Sequence, residues 1–545
     1  MLTPAGTGVL RYSYPMGDTP AVCLTQDIPP SFRLPTPARV WHNARHGDEE
    51  DDQDDENQDG ESEQVKKETT RTETKEEDNK KKQEKEGKDE KDHKEDNGTE
   101  HFQNDPINIL LLGCGDLRKI LFTISRDKGR RLDITCCDNE RSIIARNILL
   151  LTLLVDSPSD NDFGDYFPIY YNFNIAQHLV TRIASQALKL VNLSDSLEAW
   201  HRSTYGRNGG IRFCDSHSVA QVREIWQCWA MLDGNITNTM HDLRVKFAAD
   251  LAATRAVQAD ERLHGTSAGG AHVYTAVRSV APAVHTDMRD LNNLHRKFWG
   301  AGDMSLSTGD RSTYEGLRLN PMFVTPDAER VRIHWGLNPL LGFPLAEAYT
   351  RLTDNPELGG VKEEAFVQDK LLAVTKAKFT TWCRAFSQAF TDKRVVTRWF
   401  VGDAISFGHT LQSLASRSAQ FSRWYRSQHS YVPLKLDGED YQDEPGGSTT
   451  HPAPLSFMVI DTSNLIDDLG ALNVLVATSP LLENNMAATI YTEMLTRYHR
   501  TYKEEADNLL CGPLPTVALL LGLSCVEHST NTSSYPGPFQ DSMTY

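Results

Sequence analysis

Several chemistries are excluded by what this chain of 545 residues does not contain. Its nine cysteines include no C-x-x-C pair, and no signal-peptide pattern stands at Met1–Ala5. Cysteine usage is therefore that of a reduced, intracellular protein, here expected in the cytoplasm, and the sequons at Asn97, Asn192, Asn235 and Asn531 are read as chance matches. No apolar run approaches the roughly eighteen residues that cross a bilayer, so no membrane segment is expected. There is no H-E-x-x-H, the helical zinc-binding pair of metalloproteases. Cys214 and His217 stand at zinc-compatible spacing but have no second pair, so no metal is expected. Gly265–Gly270 lacks the Gly-Lys-Ser/Thr ending of a phosphate-binding loop and reads as a turn.

Apolar residues are nearly absent between 48 and 100, where Val65 is almost alone. That tract holds 24 acidic and 11 basic side chains, a balance of −13 out of the chain's −18. The rest has 51 acidic and 46 basic residues and no basic stripe, which argues against nucleic-acid binding. Residues 46–104 cannot bury enough surface to offset their ordering entropy and are expected to be a disordered charged insert. Residues 1–45, with an aromatic, Pro/Gly-punctuated stretch at Arg11–Val22, are expected to pack on the core beside the first strand.

The informative stretch is Ile107–Asn147. Ile107–Leu112 is a continuous apolar run, the pattern of a strand buried on both faces of a parallel sheet. It breaks at Gly113-Cys114-Gly115-Asp116, after which Ile120, Leu121 and Ile124 return at helical spacing. Strand, glycine turn and helix together let backbone N–H groups face a ligand. A second strand, Leu132–Cys137, ends in Asp138, about twenty residues past the glycines, where a carboxylate can accept from ribose hydroxyls. Another reading is that the turn is kept for packing and binds no nucleotide, since a lone GxG is weak.

This βαβα opening resembles that of class I S-adenosylmethionine methyltransferases, with two departures: Leu117 stands where they carry a third glycine, and Leu111 where they carry an acid. A more specific resemblance covers most of the chain. NILLLGCGDLRKILFTI, LDITCCDNERSIIARNILLLTLL, YPMGDTPAVCLTQDIPPSF, FWGAGDM, IHWGLNPLLGFPLAEAY, RWFVGDAISFGHTLQ and FMVIDTSNLIDDLGALNVLVATSPLL resemble the fungal proteins that carry domain of unknown function 4470. That domain also opens a dynein axonemal assembly factor, and in fungi it often precedes a MYND zinc finger. No Cys/His array for such a finger occurs up to Tyr545. The resemblance implies an α/β, Rossmann-like, methyltransferase-like fold with a mainly parallel sheet.

From about 156 to 392 the spacing is mostly helical, a large insertion, with helices over His178–Leu190, Val219–Leu232, Leu243–Leu251 and Glu363–Phe390 and a short strand at Val331–Trp335. Val395–Val401 is β-branched and aromatic and reads as the third sheet strand. Asp403 follows it, either as a nucleotide contact or as the cap of the helix at Ile405–Ala415. Phe457–Ile460 and Val474–Thr478 complete five expected strands, with helical cover at Pro480–Tyr498 and Leu514–Leu523 and an unstructured tail over 526–545. The α/β domain is thus expected over 105–525.

Two functions fit. One is a non-catalytic module that binds other proteins, with no cofactor, as the assembly-factor resemblance implies. The other is an S-adenosylmethionine-dependent methyltransferase, a chemistry that needs little from side chains beyond alignment. The cofactor would then contact Gly113, Gly115, Asp116, Asp138 and Asp403. Leu111 and Leu117 favour the first reading, because close backbone approach to a ligand requires glycine.

Overall fold

The computed structural model describes residues 21–29, 105–157, 160–206, 209–231, 293–295, 297–298, 302–304, 317–323, 339–349, 367–415, 434–441, 452–493 and 502–526. All of them lie in one unit, Met1–Phe32 with Asn104–Tyr545; Arg33–Gln103 is a separate unit. The charged insert at 46–104, the helix over Leu243–Leu251, the strand at Val331–Trp335 and the tail after Val526 fall outside the described residues.

The described strands are β1 (Ile107–Leu112), β2 (Leu132–Asp138), β3 (Asn174–Ala176), β4 (Ile211–Phe213), β5 (Leu317–Leu319), β6 (Val395–Val401), β7 (Val459–Asp461) and β8 (Thr489–Tyr491). Six of them form one sheet in the order β4-β6-β2-β1-β7-β8, with every neighbouring pair parallel. β3 and β5 make a separate antiparallel pair. The described helices are α1 (Arg118–Arg126), α2 (Arg141–Val155), α3 (Tyr166–Tyr171), α4 (Gln177–Leu193), α5 (Leu197–Arg202), α6 (Ser216–Ala230), α7 (Val367–Thr391), α8 (Ala404–Ala415), α9 (Leu465–Leu469), α10 (Ala471–Thr478), α11 (Tyr502–Leu509) and α12 (Leu514–Leu520). This is a Rossmann-like α/β fold. The chain runs from β1 outward to β2 and β6, then crosses to β7 on the other side of β1. The switch point, where open α/β sheets bind ligands, lies between the carboxyl ends of β1 and β7.

The apolar run of β1 is continuous because both its faces are covered. Ile109 and Leu111 join Ile134, Cys136 and the buried sides of α1, α2, α4, α6 and α7. Leu110 and Leu112 join Cys137, Ile460 and, from α8, Phe407 and Leu411. α7 buries Leu371, Phe379, Trp382 and Phe386, and Phe390 near its end is half-buried. Its Trp382 lies 4.9 Å, ring to ring, from Phe122 of α1.

Three expectations are corrected. Val474–Thr478 is not a strand but the end of α10: Gly470, at φ +81, breaks the chain just before it, and Ala471, Val474, Ala477 and Thr478 are buried at helical spacing while Val476 is 43% exposed. The strand beyond β7 is β8, inside the region read as helical cover over Pro480–Tyr498. The helical insertion also supplies β4 to the sheet edge. Of the N-terminal segment only residues 21–29 are described, and these pack on the core along α1. Leu24 N–H donates to Thr123 Oγ1 at 3.0 Å, Thr25 Oγ1 to Asp127 Oδ2 at 2.7 Å, and Ala21, Leu24 and Ile28 are buried.

Across one face of the sheet runs a buried ion network. Arg212 of β4 and Arg398 of β6 are register partners, a like-charge pairing that alone would destabilise the sheet. Asp440 accepts from both guanidiniums, and Asp133 of β2 accepts from Arg398 at 2.8 and 2.9 Å. Burial pushes the Asp440 carboxyl up, but Arg398 and Arg212 outweigh it and hold it below the ordinary 3.8. A depressed carboxylate contributes stability that is complete above that value and lost as pH falls below it. Asp440→Asn is expected to cost about 3 kcal/mol in urea unfolding at neutral pH, since it leaves two buried cations facing each other. The variant should also lose less stability than the wild type on acidification below pH 4; equal losses would show that Asp440 does not carry this term.

Candidate ligand crevice at the glycine turn

The turn after β1 needs its glycines: Gly113 and Gly115 have φ of +64 and +54, the left-handed region that costs other residues most. A Cβ on Gly113 would lie 3.1 Å from Leu465 Cδ2, so the α9 side chain already fills the space over the turn.

The backbone of the turn is satisfied within the protein. Cys114 N–H donates to the Cys137 carbonyl at 3.0 Å, and Gly115 N–H to Asp138 Oδ2 at 3.0 Å. Leu117 N–H donates to Tyr170 Oη at 3.0 Å, and Arg118 N–H to Asp116 Oδ1 at 3.1 Å. The Gly115 carbonyl accepts from Asn147 Nδ2 at 2.7 Å, and Tyr170 Oη donates to Asn147 Oδ1 at 2.5 Å. Asn147 and Tyr170, from α2 and α3, thus hold the turn from behind. Sequence reasoning missed both, because a polar residue inside a strongly apolar helix gives no sign of its partner.

Each expected contact residue has a definite place. Asp138 is buried, and its other oxygen, Oδ1, accepts from Glu140 N–H at 2.9 Å. Burial raises its pKa, while the N–H groups of Glu140, Gly115 and Asn139 pull it back. Asp116 is buried too and turns to Arg118, whose Nε donates to its Oδ2 at 2.6 Å. Asp403 is exposed and caps α8, accepting from Ser406 N–H at 2.7 Å. Gly402 N–H donates to the Asp138 carbonyl at 2.9 Å, so the ends of β2 and β6 adjoin. The structure therefore gathers Gly113, Gly115 and Asp138 into one hydrogen-bonded unit, with Asp403 at its margin and Asp116 turned to α1.

At the switch point itself stands a group the sequence did not announce. Lys119 Nζ lies 3.0 and 2.9 Å from the two carboxylate oxygens of Asp461, at the end of β7, and 3.2 Å from Glu493 Oε1. Burial pulls the ammonium down, but Asp461 and Glu493 outweigh it and raise its pKa, so Lys119 stays charged and is no base. Desolvation pushes the Cys114 and Cys137 thiols far up, which leaves no thiolate nucleophile at the turn. Among the described residues no cluster of three metal-ligating side chains occurs, and no helix is long and apolar enough to cross a membrane. Tyr170→Phe removes the acceptor for Leu117 N–H and the donor to Asn147 and is expected to cost about 1–3 kcal/mol in urea unfolding. A variant as stable as the wild type would show that Tyr170 does not brace the turn.

No curated protein and no solved structure matches the chain. One family model does, that of a domain of unknown function (DUF4470), over residues 81–175. The match holds β1, α1, β2 and α2, and with them the glycine turn, Asp138, Asn147 and Tyr170. Over these residues the chain matches the DUF4470 family model.

Proposed function

We propose that this protein is a non-catalytic, protein-binding module built on a methyltransferase-like fold, acting with other proteins in the cytoplasm and not on nucleic acid. The observation that carries this reading is the internal satisfaction of the turn. The N–H groups of Cys114, Gly115, Leu117 and Arg118 already have acceptors, and both Asp138 oxygens accept from backbone. A nucleoside would have to displace these bonds, each contributing about 1 kcal/mol, and would leave buried groups unpaired where it did not replace them. Leu465 over Gly113 adds a steric obstacle. These residues do not fit a bound S-adenosylmethionine. Partner binding is supported by α12, which buries none of its residues and leaves Leu519 and Leu520 each 80% exposed. The resemblance to the opening domain of an assembly factor points the same way.

The second reading, an S-adenosylmethionine-dependent methyltransferase, draws on the strand order, which sets Gly113 and Asp138 beside the switch point. A thermal-shift titration decides between the two. Binding to the folded state alone would add about 2.7 kcal/mol of stability at a hundredfold excess over Kd. No shift is expected with millimolar S-adenosylmethionine. A saturable shift that disappears in Asp138→Asn, with the variant still folded, would overturn the non-catalytic reading.

A further inference from the structure

Residues 21–29 lie on the core as a docked peptide and not as part of the sheet. None of them belongs to a described strand, and the segment turns on itself. Gln26 N–H donates to the Cys23 carbonyl at 3.1 Å, and Ile28 N–H to the Thr25 carbonyl at 3.2 Å. The chain from here to Asp105 runs through residues 30–104, so no short connection fixes the segment to β1.

Two kinds of contact hold it. Ala21, Leu24 and Ile28 are buried in the main core. Between these anchors sits a polar lock. Thr25 Oγ1 donates to Asp127 Oδ2, and that carboxylate is itself buried. Arg130 binds the same oxygen through Nε at 2.7 Å. Its Nη1 and Nη2 donate to the carbonyls of Ile28 and Thr25, at 3.2 and 3.3 Å. At the margins, Leu24 N–H donates to Thr123 Oγ1, Ala21 N–H to the Gly342 carbonyl at 2.9 Å, and Tyr491 Oη to Asp27. The surface thus reads backbone, one hydroxyl, one carboxylate and three apolar side chains. Buried apolar anchors ringed by satisfied polar contacts are how one protein recognises a segment of another, and a segment already turned loses less freedom on docking.

We propose that α1 and the loop at 127–130 form a peptide-docking site, filled here by the chain's own residues 21–29. A partner protein enters it by presenting the same pattern, Ala-x-x-Leu-Thr-x-Asp-Ile. The chain's own segment is a competitor held at high local concentration by its tether. Docking therefore requires a partner segment that binds more tightly, or the release of 21–29. This site rests on the protein-binding reading, but the two are tested apart. Loss of the site would leave that reading to the titration with S-adenosylmethionine.

The test is a titration of the full chain and of its Leu24→Asp variant with a fluorescent synthetic peptide of residues 21–29. A charge at this buried position expels the variant's own segment. The peptide is then expected to bind the variant saturably, and at least about tenfold more tightly than it binds the wild type. A peptide carrying Thr25→Val should bind about tenfold more weakly, because Asp127 loses its hydroxyl donor. No binding to the folded variant, equal binding to both chains, or a Thr25→Val peptide that binds as well would each overturn the proposal. Should Leu24→Asp fail to fold, the wild-type segment decides, cut free at a protease site inserted within 46–104. The fragment carrying 21–29 should leave the core, or be displaced by excess peptide, with hydrogen exchange of β1 and β2 unchanged. A fragment that leaves only when the core unfolds would contradict a docking site.

Discussion

The carboxylate of Asp138 is the interaction on which the centre of this protein depends. It binds the backbone N–H of Gly115 on one side and of Glu140 on the other, and so ties the turn after β1 to the start of α2. Buried acceptors of this kind are costly unless filled, and here the protein fills them itself. Asn147 and Tyr170 repeat the logic behind the turn, Asn147 with both ends of its amide and Tyr170 with a hydroxyl that accepts and donates. The turn is closed by its own chain, and Leu465 covers the space above Gly113. The glycine turn is best understood as the joint of the fold.

The same economy of charge governs the sheet edge. Two arginines stand opposite each other on neighbouring parallel strands, which is tolerable only because Asp133 and Asp440 flank them. Asp440 comes from 434–441, distant in sequence from β4, so correct pairing of the edge strand and docking of that segment depend on each other. At the opposite side of β1, Lys119 joins Asp461 and Glu493 and couples α1 to the ends of β7 and β8. Both arrangements spend their charges on holding elements together, and neither leaves an ordinary base at the switch point.

Much of the sheet was legible in the sequence because of burial. β1, β2 and β6 are covered on both faces, and such strands must be written as nearly unbroken apolar or β-branched runs. β4 and β8 have three residues each, too short for any period to show; β4 falls between two expected helices of the insertion and β8 inside the expected helical cover. Val474–Thr478 misled for the opposite reason. Its β-branched composition suits a strand, but burial recurs at helical spacing, and packing against α8 and α9 overrode propensity. At the candidate site, Gly113, Gly115 and Asp138 were legible because strand, glycine turn and carboxylate lie within a few dozen residues. Their actual partners were not. Asn147 and Tyr170 belong to helices whose sequences announce only their apolar faces, and Lys119 meets carboxylates more than three hundred residues away.

The central claim is that the turn is sealed by its own hydrogen bonds, and amide hydrogen exchange at Gly115 and Leu117 tests it most directly. Amides held by a buried carboxylate and a buried phenol open only with the surrounding structure, so both should exchange as slowly as the amides of β1 and β2. Exchange at the rate of an open loop would contradict the account, because it would mean that these donors are free to meet a ligand.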